Sequence, residues 1–115
     1  MNERVKSLLE HMFEDVQDIL SMTDNINDFD EFYKNMPIRK ATVMSLLNIG
    51  ELVNRLPLEY TNSHPELPWR MMVNLRNIAA HGYHNLNHLI IWEIVQDSVP
   101  ELSAFLQKEL EAGDV

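Results

Sequence analysis

Residues 2–21 read NERVKSLLEHMFEDVQDILS, and the period of their apolar positions decides the fold class. Val5, Leu8, Leu9, Met12, Val16, Ile19 and Leu20 return at intervals of mostly three and four, which places them on one side of a helix. Glu10, Glu14, Asp15 and Asp18 fall on other faces. A stripe of this kind predicts an amphipathic helix from about Asn2 to Ser21 that needs neighbours to cover it. His11, on the same helix, reads as structural.

The neighbours follow in order. Met22–Asn27 is a turn rich in Asn and Asp, and Asp28 stands three residues before Glu31, a capping-box spacing for a short helix with Phe29, Phe32 and Tyr33. Pro37 suits the first turn of a third helix, where its missing N–H is not needed. That helix should turn Ile38, Ala41, Met44, Leu47, Leu52 and Leu56 inward and stop before Pro57. Three prolines punctuate residues 57–68, which read as the main connecting loop. A fourth helix opens at Pro68–Trp69, runs through Met72, Leu75 and Ala79, and ends where Gly82 can take a left-handed conformation. Asn85 and Asn87 are turn and cap residues, and a fifth helix holds Leu89, Ile90, Trp92, Ile94 and Val95. Ser98 with Glu101 predicts a further cap, with Pro100 in the first turn of a closing helix through Leu102, Phe105, Leu106 and Leu110. No segment alternates with period two. The expectation is all-α: an antiparallel bundle of about five helices in one domain over 1–115, with residues 111–115 a frayed tail.

Composition sets the limits on chemistry. Cysteine is absent, which removes disulfides, thiolate nucleophiles and Cys-based metal sites. The first thirty residues lack a signal-peptide pattern, and no apolar run approaches the roughly 18 residues that span a bilayer, so the protein is expected in the cytoplasm and not in a membrane. Net charge is −9, but unevenly placed. Residues 1–35 hold nine acids against three bases, and residues 93–115 hold six acids against Lys108 alone. Residues 36–92 hold five bases against three acids, together with four of the five histidines. Such acidity argues against broad binding of duplex DNA, yet leaves room for a local anion site.

The chemically dense stretch lies in that basic zone: Leu75-Arg76-Asn77-Ile78-Ala79-Ala80-His81-Gly82-Tyr83. An imidazole titrates near neutrality and can serve as general acid or base. A guanidinium can hold a phosphate and stabilise the charge that builds on it. Together they suit phosphodiester cleavage with an RNA 2′-hydroxyl as internal nucleophile, free of metal. Arg76 and His81 stand about 140° apart around a helix axis, so they converge only if the helix loosens at Gly82 or a second copy contributes. Plainer readings compete: Arg and His near a helix C-terminus often bond the last carbonyls. His81, His84 and His88 could form a zinc array, but Gly82, Asn85 and Asn87 interrupt the helix that it needs. Trp69 and Trp92 read as core anchors. Gly-rich nucleotide loops, paired acidic metal ligands and a Ser nucleophile motif are missing, so no cofactor is expected.

Several of these residues carry a family resemblance. Ile49-Gly50-Glu51, Asn54-Arg55-Leu56, His64-Pro65-Glu66-Leu67-Pro68-Trp69-Arg70, Arg76-Asn77, His81-Gly82-Tyr83 and Trp92 follow one another as in the HepT-like family of the HEPN superfamily, and the match runs from about residue 3 to 111. The chain resembles all-α, homodimeric, metal-independent endoribonuclease toxins in which the Arg-x4-His-x-Tyr motifs of two subunits share a cleft. The resemblance implies Arg76 and His81 as catalytic, Asn77 and Tyr83 as supporting, and RNA as substrate. It also implies a minimal nucleotidyltransferase antitoxin as partner, which transfers AMP to Tyr83. The chain departs from the family where members often carry Gly and Asp after the motif, here Asn85 and Asn87. A non-catalytic module that pairs with a nucleotidyltransferase, and perhaps binds a nucleotide, is the alternative.

Overall fold

The computed structural model describes residues 2–113, and the side chain of Tyr83 lies outside that description. The helices are α1 (Glu3–Thr23), α2 (Phe29–Lys34), α3 (Met36–Arg55), α4 (Leu58–Asn62), α5 (Trp69–Ala79), α6 (His88–Glu93) and α7 (Val99–Gly113). A 3-10 turn at Tyr83–Asn85 and a π-helical stretch at Ile94–Ser98 complete the described elements. No strand occurs among the described residues, and the fold is an all-α helical bundle. None of the described helices is long and apolar enough to cross a membrane.

The first helix forms as its periodicity predicts. The side-chain oxygen of Asn2 accepts the Val5 N–H at 2.8 Å and caps the start. Leu9, Met12, Val16 and Ile19 are fully buried, each contributing about 1.5–3 kcal/mol of apolar burial. Their stripe packs against α3 on one side and α7 on the other, while α3 also receives α5. His11 stays exposed, 3.8 Å from Glu14, outside that core. Asp28 caps α2 by accepting the Glu31 N–H at 2.9 Å, and Glu31 reaches back to the Asn27 N–H. Trp69 and Trp92 are both buried, Trp92 against Phe32 with ring centroids 5.0 Å apart.

Three local expectations are corrected. In α3 the buried positions are Thr42, Val43, Leu46, Ile49, Gly50 and Val53; of the expected stripe Leu56 is buried and Leu47 and Leu52 pack against the core, but Met44 is 60% exposed. This helix is apolar on two sides, so its sequence alone did not choose between them. Residues 57–68 are not all loop, because α4 occupies Leu58–Asn62. Pro57 blocks continuation of α3 but leaves a fresh helical turn free to start after it. The third correction concerns Ser98, which caps nothing: α6 passes through the π turn straight into α7. Pro100 offers no N–H to the Gln96 carbonyl and would crowd it, and the wider π turn at 94–98 takes up that misfit. Of the tail over residues 111–115, residues 111–113 belong to α7, and residues 114 and 115 lie outside the described residues.

Candidate functional site

Two glycines set the position of the motif. Gly50 faces α5 so closely that a Cβ there would sit 2.5 Å from the Met72 carbonyl oxygen and 3.2 Å from Arg76 Cβ. A glycine inside a helix costs roughly 0.5–1 kcal/mol relative to alanine, and here it lets α3 and α5 approach at the level of Arg76. At the far end of α5 the backbone tightens: His81 N–H donates to the Ile78 carbonyl at 3.1 Å and Gly82 N–H to Ala79 at 3.0 Å. Gly82 then adopts φ 134°, in the left-handed region, and the helix stops. The Asn85 side-chain amide donates to the His81 carbonyl at 3.1 Å, holding the turn that follows.

Arg76 emerges from this frame half-buried, with its Nε 3.0 Å from Glu51 Oε1. The pair is in ionic contact without the alignment of a hydrogen bond, so it orients the guanidinium more than it consumes it. With both side chains partly in water the attraction contributes about 0–1 kcal/mol. Among the described residues no hydrogen bond engages the terminal guanidinium nitrogens. Asn77 and His81 are exposed, and no described hydrogen bond or ion pair joins Arg76, Asn77 and His81 to one another. Tyr83, the fourth motif residue, has its side chain outside the described residues. His81 sits in the turn, His84 in the 3-10 segment and His88 at the start of α6, so the three do not share the single helix that a zinc array would need.

His88 belongs to a separate cluster. Its ring lies 5.9 Å from Tyr33, and the Arg39 guanidinium stands 4.6 Å over the other ring. Burial, and then the Arg39 charge, lower the His88 pKa from its ordinary value. His64 belongs to a third group, where Tyr60 OH donates to Glu109 Oε1 at 2.6 Å and Trp69 Nε1 donates to the His64 carbonyl at 2.9 Å. Burial and the accepting Glu109 carboxylate push the Tyr60 phenol well up, so it remains a donor.

Glu51 is a further candidate residue, since it is the one that meets Arg76 across the gap between α3 and α5. The contact crosses between helices, so no local spacing in the sequence marks it, although Gly50 beside Glu51 is where the two helices come close.

The comparisons with known proteins bear on this arrangement. The family model described as Ribonuclease HepT-like matches residues 12–109. A Methanocaldococcus jannaschii protein named "Putative RNase MJ0127" is 40% identical over 96 residues, covering 84% of this chain and 78% of its own length. A second protein of that organism, "Putative RNase MJ1380", is 35% identical over 107 residues, covering 93% and 94%. The "Probable ribonuclease HepT" of Thermococcus cleftensis is 29% identical over 108 residues, covering 94% and 97%. No solved structure gives a significant match.

Proposed function

The chain belongs to the ribonuclease HepT-like family, and on that footing we propose that it is a metal-independent endoribonuclease toxin whose working site is built from two copies. The observation that carries the reading is the state of Arg76: oriented through Nε by Glu51, with its terminal nitrogens available to an anion. A guanidinium held in this way offers a phosphate two parallel donors.

In the proposed reaction the RNA 2′-oxygen attacks the adjacent phosphorus and the bond to the 5′-oxygen breaks. A 2′,3′-cyclic phosphate and a 5′-hydroxyl result. Arg76 stabilises the charge on the non-bridging oxygens, His81 handles the proton, and Asn77 orients the strand. Arg76 and His81 of one copy do not meet, so the second copy supplies the complementary group. Ile78, Leu89 and Ile90 remain 44–46% exposed, apolar surface that a second copy could cover. Cleavage is measured in EDTA with wild type, Arg76→Ala and His81→Ala. Equal rates in all three would sink the assignment, and loss of wild-type activity on chelation would point to a metal.

The regulatory half concerns Tyr83. A minimal nucleotidyltransferase antitoxin transfers AMP from a nucleoside triphosphate to the phenolic oxygen: an O–P bond forms, pyrophosphate leaves and the phenol loses its proton. The adduct adds bulk and negative charge to a motif that must attract RNA phosphate. Co-expression in the cytoplasm should add one adenylate to wild type and none to Tyr83→Phe, and expression alone should arrest growth only with Arg76 and His81 intact.

A second reading has its own observation. The two acid-rich ends of the chain come together, because α1 packs on α7. Exposed Glu3, Glu10, Glu14, Asp18, Glu101 and Glu111 make that side repel RNA and suit a basic protein partner. A non-catalytic module paired with a nucleotidyltransferase would form that complex and leave RNA uncut.

A further inference from the structure

A cavity of about 660 Å³ opens between the end of α3, α4 and the first turns of α5. Its volume is in the range that takes a small organic ligand. Its wall has two characters. Val53 on α3 and Val73 on α5 are apolar lining residues, while Asn54, Asn62 and Asn74 are lining residues that carry side-chain amides. Arg70 is the only charged residue in the lining. The lining holds no carboxylate, unlike a surface hollow with Asp28, Asp30 and Glu31 in its wall.

Its position matters as much as its chemistry. Arg70, Asn74 and Asn77 are spaced i, i+4, i+7, so they lie along one face of α5, and Asn74 precedes Asn77 by about 4.5 Å of helix axis. On α3, Asn54 comes one turn after Glu51, the partner of Arg76. The cavity therefore begins about one turn from the Glu51–Arg76 pair on both helices.

Resting on the ribonuclease reading above, we propose that this cavity is a nucleobase subsite for a single-stranded RNA nucleotide next to the cleaved phosphate. Arg70 contacts that nucleotide's phosphate, Val53 and Val73 meet the face of the base, and the Asn54, Asn62 and Asn74 amides read its edge. A carboxamide presents a donor and an acceptor in one plane, the pattern that base edges require. Single-stranded RNA is the form whose bases can be splayed out of the stack into a pocket. A subsite here makes cleavage sequence-selective rather than merely strand-selective.

The test is a fluorescence-anisotropy titration of the full chain in a His81→Ala background, with short labelled oligo-A, oligo-U and oligo-C single strands. The parent should prefer one base by about tenfold or more. Asn54→Ala and Asn74→Ala should erase the preference, and Asn74→Phe should block it by filling the cavity. Arg70→Ala should weaken all three strands alike and lower the dependence of log affinity on log salt by about 0.7. Because Asn54, Arg70 and Asn74 are exposed, unchanged melting temperatures will show that each variant is folded. Equal affinity for every strand in parent and variants overturns the subsite, as does AMP binding as tightly as RNA, which would give the cavity to a free nucleotide. The titration needs no turnover, so its failure is distinct from a failure of the Arg76→Ala and His81→Ala cleavage test.

Discussion

His64 and His81 sit in two parts of the molecule that look alike on paper, each with a histidine, an arginine and an aromatic residue close by, and they are used in opposite ways. The His64 ring lies 4.8 Å from Tyr60 and 5.0 Å from Phe105, with Nε2 3.5 Å from Glu109 and Nδ1 3.6 Å from Glu66. Its carbonyl accepts the Trp69 indole, and Trp69 in turn meets Phe105 at 5.9 Å. That cluster ties α4 and the start of α5 to α7, and its polar capacity is used inside the fold. Among the described residues the hydrogen bonds of His81 all run through its backbone, and Arg76 engages Glu51 through a single nitrogen. Side chains that satisfy each other hold structure together, and side chains left with open capacity are the ones that can meet a substrate.

The sharpest way to break this comparison is to delete each histidine's neighbourhood and read activity and stability separately. His81→Ala and Arg76→Ala should lower RNA cleavage by about 10²- to 10⁴-fold. Both should leave the unfolding free energy within about 0.5 kcal/mol of wild type, as for other substitutions outside the core. Trp69→Ala should do the reverse, costing about 3–5 kcal/mol through lost burial. Denaturant unfolding followed by circular dichroism measures that loss. A neutral Trp69→Ala, or a His81→Ala that unfolds the chain, would mean the two regions had been assigned the wrong way round.

The same contrast explains what could be read from the sequence. The α1 stripe from Val5 to Ile19 was legible because one face is apolar and the others are charged. The α3 stripe was not, because Met44 and Leu47 give that helix a second apolar side and only packing selects Val43, Leu46 and Ile49. Arg76, His81 and Gly82 were legible as a local group, and the φ of Gly82 ends the helix as its position predicts. The Glu51–Arg76 contact and the Asn54–Asn74 cavity cross between helices, so no local period announces them. Ser98 misled for a related reason: a capping spacing has no force where the chain does not leave the helix.

Gly50→Ala tests whether the close crossing of α3 and α5 serves the site or only the core. The added methyl meets the Met72 carbonyl oxygen at 2.5 Å, a backbone atom that cannot rotate away. Overpacking of this kind costs about 1–3 kcal/mol. Arg76 Cβ lies on the same side at 3.2 Å, so α5 must shift the guanidinium along with the backbone. Cleavage should therefore fall further than the loss of folded protein explains, at temperatures where the variant is fully folded. Activity that tracks the folded fraction alone would confine Gly50 to packing.

The smallest effect separates a third histidine from both. Burial and the Arg39 charge lower the His88 pKa in the folded state, so the unfolded chain takes up a proton at higher pH than the folded one. Stability tied to His88 is then complete above the unfolded value of about 6.5 and is lost as pH falls through the lower folded value. Melting temperatures should drop between pH 7.5 and 5.5, and His88→Gln should make that drop shallower while leaving the value at pH 7.5 nearly unchanged. Equal slopes for wild type and His88→Gln would show that the Tyr33–Arg39 contact does not bear on that imidazole.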